Sequence, residues 1–88
     1  MQVTKDQVRT FLIQRFQDKL TASGIDLAAV PADLDLYREG IIDSLGMLEM
    51  IMALHDNFGA KLDYVNMPPE DLTNIDKLAG HVALSCSS

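Results

Sequence analysis

The sequence is poor in several residue types, and each shortage excludes a class of protein. Its 88 residues include one cysteine, Cys86, which cannot by itself form an internal disulfide or a zinc site. Lysine and arginine number 7 against 13 aspartate and glutamate, and the formal charge of -6 argues against binding to nucleic-acid phosphates. No stretch approaches the ~18 consecutive apolar residues of a membrane span, and the N-terminus lacks the apolar core of a signal peptide. We therefore expect a small acidic domain in the cytoplasm, held together by packing alone.

The acidic residues are concentrated in the middle of the chain. Residues 20–60 contain seven aspartate and glutamate side chains but a single basic one, Arg38, whereas residues 1–19 carry a small excess of positive charge. This distribution favours a partner with a basic surface, since complementary charge steers encounter and sets specificity.

Helical signals begin close to the N-terminus. Thr4 and Gln7 have the spacing of a capping box, in which the two side chains accept hydrogen bonds from each other's backbone amides. Gly24 is a plausible end of the helix. The pattern predicts a first helix over residues 5–22, because apolar residues recur at intervals of three and four: Val8, Phe11, Leu12, Phe16 and Leu20.

A long connection, residues 23–43, separates this helix from the next. A second helix is predicted to begin after Asp43 and to run to Phe58, with Gly59 as its stop. The connection has no sustained hydrophobic period, and a loop of this length is often functional. We expect it to pack over the bundle through its apolar residues, which are Leu27, Val30, Leu34, Leu36, Tyr37, Ile41 and Ile42.

Two shorter helices complete the prediction. The segment from Pro68 to Leu72 suits one helical turn, because proline is tolerated at a first helical position. Thr73 is placed to cap a last helix, whose apolar residues are Ile75, Leu78, Ala79 and Val82. The expected fold is all-α, a small three- or four-helix bundle with a long first loop. It forms a single domain over residues 1–84, followed by a frayed polar tail at 85–88.

The second helix carries more apolar surface than a core face needs. At about 100° per residue, one arc already provides a sufficient core face, formed by Met47, Met50, Ile51, Leu54 and Phe58. A second arc holds Leu45, Leu48 and Met52, here called the apolar strip, interleaved with Glu49 and Asp56. Either both arcs are buried in a bundle that wraps its central helix, or the apolar strip is an exposed docking face for partners.

Ser44 lies where the acidic loop meets the second helix. Serine is a favoured N-cap residue, so a purely structural role is one interpretation. Its context adds another: the segment Gly40-Ile41-Ile42-Asp43-Ser44-Leu45 precedes an apolar and acidic helix, a proline-led turn and a final short helix. This pattern resembles the acyl carrier proteins, small bundles that hold a 4′-phosphopantetheine arm on the serine of a Gly-x-Asp-Ser-Leu type signature. The match has one extra residue between the glycine and Asp43.

The resemblance implies a non-catalytic carrier. We also expect a monomer without a metal site, because His55 and His81 do not have the spacing of metal ligands. Ser44 would be the attachment residue for 4′-phosphopantetheine from coenzyme A, and Asp43 the neighbour that helps the transferase and its metal ion. The arm would hold acyl or aminoacyl intermediates as thioesters. Its partners would be a phosphopantetheinyl transferase, a ligase that loads the acyl or aminoacyl group, and a downstream acyltransferase or synthase. The partner-recognition face of the family matches Leu45, Leu48, Glu49, Met52 and Asp56.

Departures from the family pattern bear on the cargo. Gly46, His55 and Asn57 stand where carriers of fatty-acid synthesis often have acidic residues. The stretch from Asp33 to Gly46 is instead similar to D-alanyl carrier proteins and to stand-alone carriers of specialised pathways. This leaves an amino acid, a short acyl group and a longer chain open as cargo.

Two other functional classes compete with a carrier. A hydrolase would need a base near Ser44, but His55 is eleven residues further along the same predicted helix, about 16 Å away. A small acidic helical interaction module without a prosthetic group would share the apolar strip. It differs from a carrier only at Ser44, which would hold no phosphopantetheine.

Overall fold

Helices account for the regular structure. The computed structural model describes residues 3–63 and 65–86. Within those ranges the chain forms five α-helices and a short 3-10 turn, which are α1 (Lys5–Arg15), α2 (Gln17–Ala22), the 3-10 turn (Leu27–Ala29), α3 (Ser44–Phe58), α4 (Pro69–Thr73) and α5 (Ile75–Cys86). The predicted all-α fold is confirmed.

The first helical segment is divided rather than continuous. The capping box forms as predicted, because the Thr4 hydroxyl accepts from the Gln7 amide at 3.2 Å and Gln7 Oε1 accepts from the Thr4 amide at 2.9 Å. The prediction of one helix over 5–22 is wrong at Phe16, where φ is -108° and ψ is 16°. The Phe16 side chain is buried, and neither glycine nor proline lies beside it. The interruption is confined to this residue, since the Phe16 amide still donates to the Leu12 carbonyl at 3.1 Å and the Leu20 amide donates to the Phe16 carbonyl at 2.9 Å.

α5 is the helix on which most of the others pack. It contacts α1, α3 and α4, and its contact with α1 is the most extensive between any two of the described helices. At the surface, Lys5 Nζ lies 2.9 Å from Asp76 Oδ1 and joins the starts of α1 and α5. The core draws on both ends and the middle of the chain: Val8, Leu12, Phe16, Leu20, Leu34, Leu36, Ile41, Ile42, Met50, Leu54, Ala60, Ile75, Leu78, Ala79 and Val82.

The long connection packs over the bundle through only part of its apolar residues. Leu27 and Tyr37 are exposed, so the prediction that they anchor the loop is wrong. Val30 is partly buried and packs against the core. The other side chains that anchor the loop are buried: Leu34, Leu36, Ile41 and Ile42. The buried side chains cluster in the half of the loop that leads to α3, and this half is therefore held firmly where the second helix begins.

The same half of the loop is also paired with the junction between α4 and α5. The Leu36 amide donates to the Thr73 carbonyl at 2.8 Å, and the Ile75 amide donates to the Leu34 carbonyl at 2.9 Å. These bonds form an isolated antiparallel bridge between Asp35 and Asn74. Backbone pairing thus joins the loop to elements far along the chain.

The start and the end of α5 differ from prediction. Asn74 caps the helix, since its Oδ1 atom accepts from the amides of Asp76 and Lys77 at 3.0 and 3.1 Å. The predicted cap at Thr73 is wrong, because Thr73 ends α4 with its side chain buried. α5 continues to Cys86, so residues 85 and 86, which the sequence assigns to a frayed tail, are helical. Residues 87 and 88 lie outside the described residues.

Candidate functional site

Ser44 is exposed at the first position of α3, directly after the N-cap. The cap is Asp43, whose Oδ1 atom accepts a hydrogen bond from the Gly46 amide at 2.7 Å. The Asp43 carbonyl accepts from the Met47 amide at 2.8 Å and closes the first turn. Because Asp43 supplies the cap, the purely structural interpretation of Ser44 as the N-cap is wrong. The Ser44 hydroxyl is presented at the helix start without a capping role.

Gly46 lets this cap close tightly. A Cβ atom at that position would lie 3.2 Å from Asp43 Oδ1 and 3.5 Å from Ile42 Cβ. The first distance is shorter than ordinary van der Waals contact, so any larger residue would press on the capping carboxylate. The sequence marked Gly46 only as a departure from acidic carriers, whereas the structure shows its role beside the cap.

Asp35 organises the loop that leads to Ser44. Its Oδ1 atom accepts from the amides of Tyr37 and Arg38 at 3.0 and 2.9 Å. Its Oδ2 atom accepts from the Thr73 hydroxyl at 3.0 Å, which links the loop to α4. Three donors therefore engage one carboxylate and fix the backbone of Arg38. Sequence reasoning missed this arrangement, because no local pattern relates Asp35 to a threonine 38 residues later.

A groove of about 720 Å³ lies beside Ser44, between the loop, α3 and α4. Met47, which the helical period assigns to the core, is half-buried, packs at the edge of the core and lines this groove. Apolar and charged side chains share the walls, which consist of Asp35, Tyr37, Arg38, Ser44, Met47, Pro69, Glu70 and Thr73. Such a groove can receive a flexible chain that carries both apolar and polar groups.

The apolar strip is exposed along α3. Leu45, Leu48 and Met52 are 65%, 47% and 65% exposed, and Glu49 and Asp56 are exposed between them. The interpretation that both arcs of the helix are buried is therefore wrong. An apolar patch of this kind, rimmed by carboxylates, is typical of a surface that binds other proteins.

The far end of α3 does not contribute a base to Ser44. The helix is continuous to Phe58, so His55 stays about three turns from Ser44. The His55 ring is instead placed near the loop after the helix, with Nδ1 3.2 Å from the Ala60 carbonyl oxygen. The geometry on α3 is not that of a hydrolase.

The site as a whole fits a covalently attached group. It offers an exposed hydroxyl at a helix N-terminus, where the helix dipole favours negative charge, and a groove beside it. A family model described as the phosphopantetheine attachment site matches residues 11–82. The chain belongs to this family of phosphopantetheine carrier proteins. It holds acyl or aminoacyl intermediates as thioesters on a 4′-phosphopantetheine arm and delivers them to other enzymes.

Relatives of known function agree with this assignment. The chain is similar to the D-alanyl carrier proteins of Lactococcus lactis subsp. lactis (strain IL1403) and subsp. cremoris (strain MG1363). Each is 36% identical over 62 residues, which cover 70% of this chain and 78% of the relative. No solved structure matches the chain.

Two general properties accompany the family. Its carrier proteins are non-catalytic and interact with phosphopantetheinyl transferases and ligases. Among residues 3–63 and 65–86, no helix has the length and apolar character needed to cross a membrane.

Proposed function

We propose that Ser44 carries the phosphopantetheine arm of this carrier. The observation that supports the proposal is the division of roles at the start of α3: Asp43 caps the helix, and the neighbouring Ser44 hydroxyl is exposed on the edge of a groove. The arm, once attached, supplies the thiol on which the cargo is held. The chain itself needs no catalytic group, because separate enzymes perform the loading and transfer steps.

In the attachment step, Ser44 is the nucleophile. Its Oγ atom attacks the pyrophosphate of coenzyme A, a new P–O bond forms as the bridging P–O bond breaks, and adenosine 3′,5′-bisphosphate leaves with the electron pair. The hydroxyl proton passes to a base of the transferase. On the side of this chain, Asp43 is the group placed to meet the transferase and its metal ion, since it is exposed beside Ser44. Its Oδ1 atom is held by the Gly46 amide, which keeps the carboxylate in one orientation.

The proposal is tested by intact mass measured before and after incubation with a promiscuous phosphopantetheinyl transferase, magnesium and coenzyme A. A gain of one phosphopantetheine, located on Ser44 by peptide mapping, is the expected result. The absence of any gain in a folded sample, with an active transferase control, would favour the interaction module that lacks a prosthetic group.

The apolar strip is the surface proposed to meet the transferase, the loading ligase and the downstream acyltransferase or synthase. It begins at Leu45, next to Ser44, so an enzyme seated on it brings its active site to the attachment point. Glu49 and Asp56 complement a basic partner surface and speed encounter without forcing tight binding. The monomeric state and the cytoplasmic location stay predictions.

Truncating the apolar strip is expected to weaken transferase binding and leave the fold unchanged. Replacement of Leu48 and Met52 together by alanine should raise the KM for the carrier roughly tenfold, which corresponds to a loss of about 1.4 kcal/mol. Both side chains are exposed, so the free energy of unfolding should change by less than about 0.5 kcal/mol per site. Steady-state loading kinetics and urea denaturation provide the two measurements.

Val65→Ala is the matched control, because Val65 is also highly exposed but lies outside α3. It should leave the KM at the parent value. An unchanged KM in the Leu48 and Met52 double variant would show that the transferase docks elsewhere.

The cargo is proposed to be a small aminoacyl group, as the names of the D-alanyl relatives suggest. The groove beside Ser44 supports this choice, because Asp35, Arg38 and Glu70 are among the side chains that line it. The neighbouring core is closed by fully buried side chains such as Met50 and Leu54. A long alkyl chain would have to displace them, whereas a small polar group would not.

Loading with arms of different length tests the cargo. Amide analogues that carry D-alanyl or octanoyl groups are attached with the promiscuous transferase, and the methyl resonances of Met50 and Leu54 are recorded. Neither arm should shift these resonances, because both reporters are fully buried in a closed core that admits neither the aminoacyl group nor an alkyl chain. The exposed Met52 methyl is the reference outside the core. Large core shifts with the octanoyl arm alone would contradict the aminoacyl assignment.

A further inference from the structure

Arg38 occupies an unusual electrostatic position. It is the only lysine or arginine between positions 20 and 60, a stretch with seven carboxylates. In the described part of the chain its guanidinium forms no ion pair. The side chain is exposed and lines the groove that also contains Ser44. What distinguishes Arg38 from other cations of the chain is its place in the groove with Ser44, where it can attract a negatively charged group.

The backbone holds Arg38 firmly in this place. Its amide donates to Asp35 Oδ1 at 2.9 Å, and Gly40 closes the turn by donating to the Tyr37 carbonyl at 3.1 Å. The next residue, Ile41, is buried and donates to the Leu36 carbonyl at 2.8 Å. Since the chain reaches Ser44 three residues later, the loop sets the position of Arg38 relative to the hydroxyl.

Among the described residues, the nearby carboxylates form no ion pair with the Arg38 side chain. Asp35 already accepts three hydrogen bonds, from the amides of Tyr37 and Arg38 and from the Thr73 hydroxyl. Glu70 lines the groove from α4 but makes no ion pair with Arg38 within the described residues. The guanidinium is therefore available to an anion bound at Ser44.

The group expected on Ser44 is itself such an anion. A phosphodiester carries one negative charge at neutral pH, and at Ser44 it would lie next to the Asp43 carboxylate. Repulsion between these charges is offset if an arginine pairs with the phosphate oxygens. Arginine suits this role better than lysine, because its planar fork can bind two phosphate oxygens at once.

We propose that Arg38 binds the phosphodiester of the arm and holds the attached end of the arm at the mouth of the groove. Arg38 is thus a positioning residue of the loaded carrier. The proposal rests on attachment at Ser44, so its test starts from protein whose loading at Ser44 has been verified by mass. A failure to load would count against the proposed function, whereas loading without a contact to Arg38 would overturn this inference alone.

The contact is read from nuclear magnetic resonance spectra of the unloaded and loaded parent protein. The Arg38 Nε–Hε resonance should shift on loading, and the shift should shrink as salt is raised, since the pair is exposed and screened. The Arg15 resonance, from an exposed arginine at the end of α1, should stay in place. An Arg38 resonance that does not move on loading overturns the proposal.

Variants give a second, independent test, which uses the ³¹P resonance of the phosphodiester. In the loaded protein, Arg38→Gln should shift the ³¹P resonance and narrow it as the attached end of the arm gains mobility. Arg38→Lys should restore part of the parent spectrum, because lysine keeps the positive charge but lacks the planar guanidinium that can bind two phosphate oxygens. Arg15→Gln, which removes the same charge elsewhere, should leave the ³¹P resonance unchanged. Equal ³¹P spectra for Arg38→Gln and the parent would also overturn the assignment.

Discussion

Ser44→Ala is expected to abolish loading with phosphopantetheine while leaving the protein folded. The variant lacks the only atom proposed to form the P–O bond, so the mass gain seen with the parent should vanish. The fold should persist because Asp43, not Ser44, accepts the hydrogen bond from the Gly46 amide. Replacing an exposed residue that makes no cap should change the free energy of unfolding by less than about 0.5 kcal/mol. Intact mass and thermal unfolding measure the two effects.

Ser23→Ala is the control for this experiment. Ser23 is also an exposed serine, and it lies at the end of α2 away from the long loop's buried half. This variant should load as fully as the parent. If Ser44→Ala still gains a phosphopantetheine, another residue is the attachment site and the proposed role of Ser44 is wrong.

Leu36→Ala is expected to be the most destabilising single change in the long connection. Leu36 is 0% exposed, and removal of a buried leucine side chain typically costs about 2–5 kcal/mol. That is a large share of the roughly 5–15 kcal/mol by which a domain is stable. The variant should shift the urea midpoint strongly, measured by circular dichroism. It should also slow loading, because the loop that presents Ser44 loses its anchor.

Leu27→Ala provides a matched comparison within the same loop. Leu27 is 37% exposed, so its truncation should cost about 0.5 kcal/mol or less. The contrast separates a buried anchor of the connection from an exposed residue of its 3-10 turn. Equal costs for the two variants would mean that the loop does not pack as described.

Sequence reasoning succeeded where the deciding interactions are local. The capping box at Thr4, the extent of α3 and the stop at Gly59 depend on residues within a few positions of one another, and all were predicted. The excess of apolar surface on α3 was also visible in the sequence, which left open whether the apolar strip is buried or exposed. The structure resolved that alternative in favour of exposure.

The errors have a common physical cause in contacts between distant parts of the chain. Phe16 interrupts the helix although neither glycine nor proline lies beside it, and its ring is buried in a core that other helices complete. Thr73 was predicted to cap α5, but its hydroxyl donates a hydrogen bond to Asp35 Oδ2 instead. The groove likewise joins Arg38 to Glu70 and the other lining residues only after folding. Helical periodicity contains no information on such pairings.

The packing of α1 against α5 has a consequence for folding during synthesis. α1 finds its main partner in α5, so the core of this domain cannot close before the chain has been made as far as α5. Contacts between distant segments also slow folding, because the intervening chain must first be brought together. On the ribosome, folding therefore awaits release of residues 75–86 from the exit tunnel. The bridge between Asp35 and Asn74 places the same condition on the loop before Ser44. We therefore expect a nascent chain that lacks α5 to be a poor substrate for modification at the proposed site, Ser44.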